Sequence, residues 1–428
     1  MQCRSQYHLL SRVNVAIQVF LSCLLIKLIT ELALSRFNRA SVENSRKNPP
    51  EVARAILDDQ TFEKSVDYNL TKSRFGSVED VFEACLLALL VCWALPWLHN
   101  FMGPAFPEGP WGQGLVVIII LLLLQLPGLP FEWHNQFRIE ERFGFNKSTS
   151  GLWFSDKLKG SVVGFIMGYP LISLLLWFAQ SLSDTWWIWG FVAFFGFQLL
   201  LMVLWPMLIL PLFNKLEPLP EGELRDRLMA LSGRAGFHAK TIQVIDGSKR
   251  SAHSNAFFTG FGKFRRIVLF DTLIEQLDPD ELEAVLAHEI GHYKKGHIPK
   301  TLALSAGGSL VGFWLVSLLI KQAWFVEAFG FAFQSGVPAP ALLLMMILGS
   351  TVSFWLLPLG NLLSRKYEYE ADAYAAGVMG GTDSMIGALR KLAEKNLSNL
   401  TPAPIFSRFY FSHPTLLERE KALGETTT

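Results

Sequence analysis

Hydrophobic and polar positions fall along this chain in long blocks rather than short periods. A bilayer core of about 30 Å is crossed by roughly 20 apolar helical residues. Seven stretches reach that length: 13–34, 78–98, 114–131, 161–182, 187–212, 301–320 and 339–360. The third holds Val116 to Leu124 without a polar residue, and Trp186, Trp187 and Trp189 read as interfacial anchors at the start of the fifth. The first follows Arg4 and Arg12, with no clear small-residue cleavage site after it, so it reads as an uncleaved anchor. Strand patterning is confined to the polar segment 213–300, where Thr241–Ile245, Arg266–Phe270 and Ser254–Phe258 are rich in β-branched or aromatic residues. Asp278, Pro279 and Glu281 then supply an N-cap, a first-turn proline and an approximate capping box, after which Leu282, Val285, Leu286 and Ile290 recur at helical spacing.

The expected fold is mainly α: a polytopic membrane protein with seven transmembrane helices, plus a small α+β domain carrying a short β-sheet. Its organisation is 1–212 with five transmembrane helices, a polar segment 213–300, helices six and seven over 301–360, and a C-terminal segment 361–428. The distribution of Lys and Arg orients it. Residues 35–77 carry eight and 132–160 carry five, whereas 99–113 and 183–186 carry none and 321–338 only Lys321. The positive-inside rule then puts 213–300 and 361–428 on the cytoplasmic side and the N-terminus outside.

Composition narrows the chemistry. Only 18% of the 428 residues are charged and the net charge is +1, so no basic field invites nucleic acid. The four cysteines, Cys3, Cys23, Cys85 and Cys92, form no C-x-x-C pair. A disulfide framework or thiolate site is not expected, and any metal must use His and carboxylate ligands.

The helix opened by Asp278 runs into His288-Glu289-Ile290-Gly291-His292. Histidines at i and i+4 share a helical face and can hold one tetrahedral zinc. Glu289 lies about 100° round the helix from His288, beside such a metal rather than on it, where it can take a proton from bound water. Gly291 leaves room for a substrate or a second helix. A catalytic zinc needs a third protein ligand and an open position. Just past the seventh stretch, Glu368 and Asp372 are again i and i+4, so one can ligate while the other orients a ligand imidazole. Glu370 is a rival ligand, and all three carboxylates also read as a solvated face paired with Arg365 and Lys366. His297 lies off the face of His288 and His292, behind Gly296, and reads as structural.

Beyond the H-E-x-x-H, four further stretches stand out: Phe137–Asn146, Ser251–Phe258 with Arg266–Leu273, Ser364–Asp372 and Ser412–Arg419. Together they resemble the type I CAAX prenyl protease family, integral-membrane zinc endopeptidases that include bacterial relatives. The resemblance implies seven transmembrane helices enclosing a chamber, and one zinc per chain held by His288, His292 and Glu368. It implies Glu289 as general base, Asp372 as partner of a ligand imidazole and His413 as stabiliser of the oxyanion. It also implies that Asn255, Ala256 and Phe257 form an edge strand pairing with a substrate backbone. On the sequence alone, those three also read as an ordinary buried strand, and His413 reads as a surface turn cap before Pro414. Lys27 and Glu31, inside the first apolar stretch, fit a wet interior.

The expected function is zinc-dependent hydrolysis of peptide bonds in peptide or protein substrates, lipidated ones included, through CAAX-type processing or membrane-protein quality control. The expected partners are substrate and lipid bilayer, with no nucleic acid, and the sequence is silent on oligomeric state. Short soluble segments and an end, Glu425-Thr426-Thr427-Thr428, without a retrieval signal favour a bacterial inner membrane over the endoplasmic reticulum. Two other readings stand beside it. A site-2-type intramembrane protease would place its H-E-x-x-H inside a membrane helix, whereas in this chain Lys294, Lys295 and Lys300 follow the motif. A non-enzymatic scaffold with a vestigial site would have no need of Glu289.

Overall fold

Seven helices are long and apolar enough to cross a membrane in the computed structural model: Val15–Lys47, Asp59–Ala105, Pro110–Phe143, Ser150–Ser181, Ser183–Phe213, His297–Leu319 and Ala339–Met379. The structure describes residues 2–237, 241–259 and 266–426, and the side chains of all of these except 2–14, Val52, Phe258, Thr259 and Thr426. Cys3, Arg4 and Arg12 therefore lie outside the described side chains, and Thr427 and Thr428 outside the described residues.

Each expected stretch lies on one of these helices, but several helices run well beyond their apolar part. The block 35–77, expected as a loop, is largely helical. The first helix continues to Lys47, and Pro49 and Pro50 interrupt it because proline cannot extend the hydrogen-bond ladder. A short helix Glu51–Ile56 follows, and the next begins at Asp59, capped by Asp58, whose carboxylate accepts from Thr61 N–H at 2.9 Å. Val42, Leu57, Phe62, Val66 and Leu70 close a buried cluster with Ala393 and Leu400 of the C-terminal segment. Hydropathy windows see only the lipid-facing part of such helices; their polar ends are helical because they pack on protein. Likewise the seventh span continues to Met379, so its helix crosses the expected 360/361 boundary.

The tryptophans at the start of the fifth span divide. Trp186 is buried, edge-on to Phe313 with ring centroids 6.4 Å apart, whereas Trp189 is exposed. Trp186 is thus a packing residue rather than an interfacial anchor.

The polar segment folds as a four-stranded sheet on helices. Its strands are β1 (Leu216–Pro218), β2 (Thr241–Ile245), β3 (Ala256–Thr259) and β4 (Arg266–Phe270), in the order β1-β2-β4-β3. β2 and β4 are parallel, with Thr241 opposite Arg266, and β3 is antiparallel to β4, with Ala256 opposite Leu269. Sequence patterning finds β2 and β4 at their observed bounds and β3 displaced by a residue or two. It misses β1, a three-residue edge strand ending in proline, too short to show a period. One face of the sheet, through Ile242, Ile267 and Leu269, packs on Leu228, Leu231, Leu282, Leu286 and Ile290. Each such side chain fully buried contributes about 1.5–3 kcal/mol. That burial fixes the helix Pro279–Lys294, hereafter the motif helix, which begins with the expected capping box of Asp278 and Glu281.

Candidate metal centre

The motif helix lies against the helix Leu357–Met379, the carboxylate helix, at Gly291. A Cβ there would meet the Ala371 backbone at 3.0 Å, so the glycine admits a second helix rather than a substrate. This contact sets Glu368 and Asp372 opposite His288 and His292. Between them, His288 Nε2 and His292 Nε2 are 3.2 Å apart, His292 Nε2 and Glu368 Oε1 3.3 Å, and His288 Nε2 and Glu368 Oε2 3.5 Å. Tetrahedral zinc with ligand bonds near 2.0–2.1 Å places its donors roughly 3.3–3.4 Å from one another. Glu368 Oε2 is buried without a hydrogen-bond partner, a costly state for an anionic oxygen unless a cation meets it. Among the described residues, His288, His292 and Glu368 are the group of His, Cys and acidic side chains able to hold a metal ion. Donor spacing, donor type and the orphaned oxygen all fit one.

Asp372 accepts from His288 Nδ1–H at 2.8 Å, which leaves Nε2 free to face the donor group. Burial disfavours a charged ring at His288, but the hydrogen bond to Asp372 and the nearby Glu368 carboxylate outweigh it and raise its pKa to about 9. The site thus favours a positive charge. Glu289 is not one of the three donors. Burial raises its pKa, against the pull of the neighbouring His288 and His292. His413 Nε2 is 3.4 Å from Glu368 Oε1. Its side chain is 65% accessible, yet the surrounding protein pushes its pKa down by desolvation. The ring lines a hollow beside Glu368. That hollow is a cavity of about 460 Å³, lined by His413, Arg419, Asn69, Asn396 and Tyr410. A second cavity of about 490 Å³ shares Asn69, Asn396 and Tyr410 and reaches Glu31 and Asp80. Glu31 pairs with Lys27 at 2.8 Å, so the charges of the first span face this interior, not lipid.

β3 is the terminal strand of the sheet and lies beside the motif helix. No strand among the described residues pairs with its outer edge. Ala256 and Phe257 belong to it, and Asn255 precedes it, its backbone carbonyl accepting from Phe270 N–H at 3.1 Å. Asn255 is exposed, and Ala256 and Phe257 are half-buried, packed on the neighbouring core.

Three residues that spacing does not place at the site complete the arrangement. Arg419 is buried and grips Asp372 with two bonds, Nε to Oδ2 at 2.8 Å and Nη2 to Oδ1 at 2.5 Å. It is placed by the helix Leu416–Thr426, whose start is a capping box: Glu418 N–H donates to Thr415 Oγ1 at 3.3 Å and Thr415 N–H to Glu418 Oε2 at 2.8 Å. The T-x-x-E signal for that helix is visible in the sequence. Arg419→Ala removes the cation that neutralises the buried Asp372, leaving it only the His288 N–H, and is expected to cost about 3–5 kcal/mol. Thermal unfolding in detergent reads that loss, and an unchanged midpoint counts against the pairing. Glu140, also buried, accepts from Tyr68 Oη at 2.9 Å and Lys72 Nζ at 3.0 Å, and lies 3.3 Å from His253 Nε2. With Ala252 N–H bonded to Phe145 O at 3.0 Å, this network ties Phe137–Asn146 to the segment leading into β3. His297 is the third. Its Nδ1 is 3.0 Å from His292 Nδ1 and its Nε2 3.0 Å from Glu370 Oε2. Glu370 therefore faces away from the donor group.

A seven-span helical body with an H-E-x-x-H helix outside all seven spans, facing a carboxylate from the polar end of the seventh, defines a multi-pass membrane metalloprotease. Residues 38–215 match the family model for the CAAX prenyl protease N-terminal region of five membrane helices, and 218–427 match peptidase family M48. CAAX prenyl protease 1 of Saccharomyces cerevisiae is 35% identical over 87% of this chain and 88% of its own length. The Arabidopsis thaliana homologue is 35% identical over 87% and 90%, and the human homologue 33% identical over 92% of both. The crystal structure of Ste24p from S. mikatae superposes with a TM-score of 0.88 at 31% identity, covering 95% of this chain and 98% of that one. The chain belongs to peptidase family M48, in the branch of the CAAX prenyl proteases.

Proposed function

We propose that this chain is a zinc endopeptidase in which His288, His292 and Glu368 hold one zinc ion. The donor triangle of 3.2–3.5 Å is the observation that carries the reading. Zinc bound there would supply an activated water and polarise the scissile carbonyl. Glu289 takes the proton from the attacking water on its carboxylate and hands it to the leaving amine. His413 Nε2–H donates to the oxyanion from the cavity wall. Asp372, held by Arg419, keeps the proton of His288 on Nδ1. Asn255, Ala256 and Phe257 offer the free edge of β3 to an extended substrate backbone.

The relatives are named for prenylated CAAX substrates, so a farnesylated C-terminal peptide is the substrate class to test first. Purified protein is expected to carry one zinc per chain and to cleave such a peptide. Two zinc ions per chain, retained iron, or zinc without cleavage overturns the reading.

The distribution of Lys and Arg supports a cytoplasmic site, and the short soluble segments support a bacterial inner membrane as its setting. A C-terminal reporter is expected to be active only in the cytoplasm. Activity only on the opposite side reverses the orientation.

A further inference from the structure

Each metal-binding imidazole has a second nitrogen, and the two histidines of this centre solve that nitrogen differently. His288 places Nδ1 directly on Asp372 at 2.8 Å. His292 has no carboxylate there; its Nδ1 meets His297 Nδ1 at 3.0 Å, and His297 Nε2 in turn meets Glu370 Oε2 at 3.0 Å.

Proton accounting settles the direction of these contacts. His292 Nε2 faces His288 Nε2 and Glu368 Oε1, so as a ligand its lone pair is on Nε2 and its proton on Nδ1. That N–H must donate to His297 Nδ1, which then carries a lone pair. His297 therefore bears its proton on Nε2 and donates it to Glu370, which as a carboxylate only accepts. One tautomer assignment satisfies all three groups.

Local geometry holds the intermediary in place. The motif helix ends at Lys294, and Gly296 takes φ 67°, a left-handed conformation that glycine adopts without strain. It turns the chain so that His297, the first residue of the next helix, comes back against His292. His297 is 3% exposed and stacks on Tyr367 with centroids 4.1 Å apart and an interplanar angle of 12°. Lys300 Nζ lies over the same Tyr367 ring, 5.5 Å from its centroid. Glu370 sits within 3.7 Å of Lys366.

We propose that His297 and Glu370 form a relayed carboxylate–imidazole support for the metal centre, acting through His292, and that this pair helps set how tightly the chain holds its metal. The proposal rests on the reading of His292 as a metal ligand. His297 is a positioning residue: it touches neither substrate nor metal. It fixes the tautomer and ring orientation of His292 as Asp372 does for His288, and partners of this kind are worth about 10- to 100-fold in metal affinity.

The test is zinc affinity of the full-length protein in detergent, measured by competition with a chromogenic chelator, with the visible spectrum of the cobalt-substituted protein as a second readout. His297→Phe keeps the stacked ring and removes both hydrogen-bonding nitrogens. It is expected to weaken zinc binding about 10- to 100-fold and to alter the cobalt spectrum. His297→Asn puts an acceptor oxygen near the Nδ1 position and is expected to recover most of that affinity. Glu370→Gln, at the more exposed end, keeps an acceptor but loses the charge, and is expected to give a smaller loss in the same direction; it serves as the measure if His297→Phe does not fold. Wild-type affinity in His297→Phe overturns the proposal. So does an Asn variant as weak as the Phe variant, because then ring volume and not the hydrogen bond matters. If the wild-type protein itself binds no zinc, the metal-centre reading fails first and this one with it.

Discussion

Glu289→Gln is expected to lose about 10²- to 10⁴-fold in kcat/KM while holding its zinc at wild-type affinity. Glu289 is one residue from a donor on the motif helix but is absent from the donor triangle, so it has no part in retaining metal. It follows His288 directly on the motif helix and is half-buried, which suits a group that meets water at the centre. The amide has the same shape, so the fold and the neighbouring imidazoles stay as they are; only the capacity to take a proton is removed. Metal analysis and peptide hydrolysis on the same preparation separate the two effects. A fully active Glu289→Gln protein removes the hydrolytic mechanism, whatever the metal content.

How much of this arrangement is legible in the sequence depends on how local its cause is. The motif helix is readable because its causes are adjacent along the chain: Asp278 and Glu281 cap it, and Leu282, Leu286 and Ile290 repeat along its buried face. Strands β2 and β4 are readable as short β-branched runs, and β1 is not, having only three residues. The polar continuation of the spans is hidden because nothing in the charge pattern of 35–77 reveals that Phe62, Val66 and Leu70 meet Ala393 and Leu400. The choice between Glu368 and Glu370 cannot be made from spacing alone. It depends on which face of the carboxylate helix turns to the motif helix, and the close contact between Gly291 and Ala371 decides that. Spacing misplaces His297 because it extends helical geometry through that residue. The left-handed turn at Gly296 ends the helix first and folds His297 back, so its distance in sequence from His292 says nothing about its distance in space.

Removing the third donor is expected to have the largest combined effect. Glu368→Ala should lose both zinc and hydrolysis, because two imidazoles alone bind zinc weakly and the centre needs three protein ligands. Glu368→Gln tests the same point without a cavity: the amide keeps the volume but lacks the anionic oxygen, so metal should still be lost while thermal unfolding of the metal-free protein changes little. Asp372→Ala should fall between wild type and these variants, with zinc affinity down about 10- to 100-fold, since it removes the partner of His288 and not a donor. It also strands Arg419, buried with its fork on Asp372, so its unfolding midpoint should drop where that of Glu368→Gln does not. Glu370→Ala should retain zinc far better than Glu368→Ala, since its oxygen reaches the centre only through His297. The ordering is the measurement. Zinc kept by Glu368→Gln and lost from Glu370→Ala would mean that the carboxylate helix presents its other face to the metal, and that Glu368 is not the third donor.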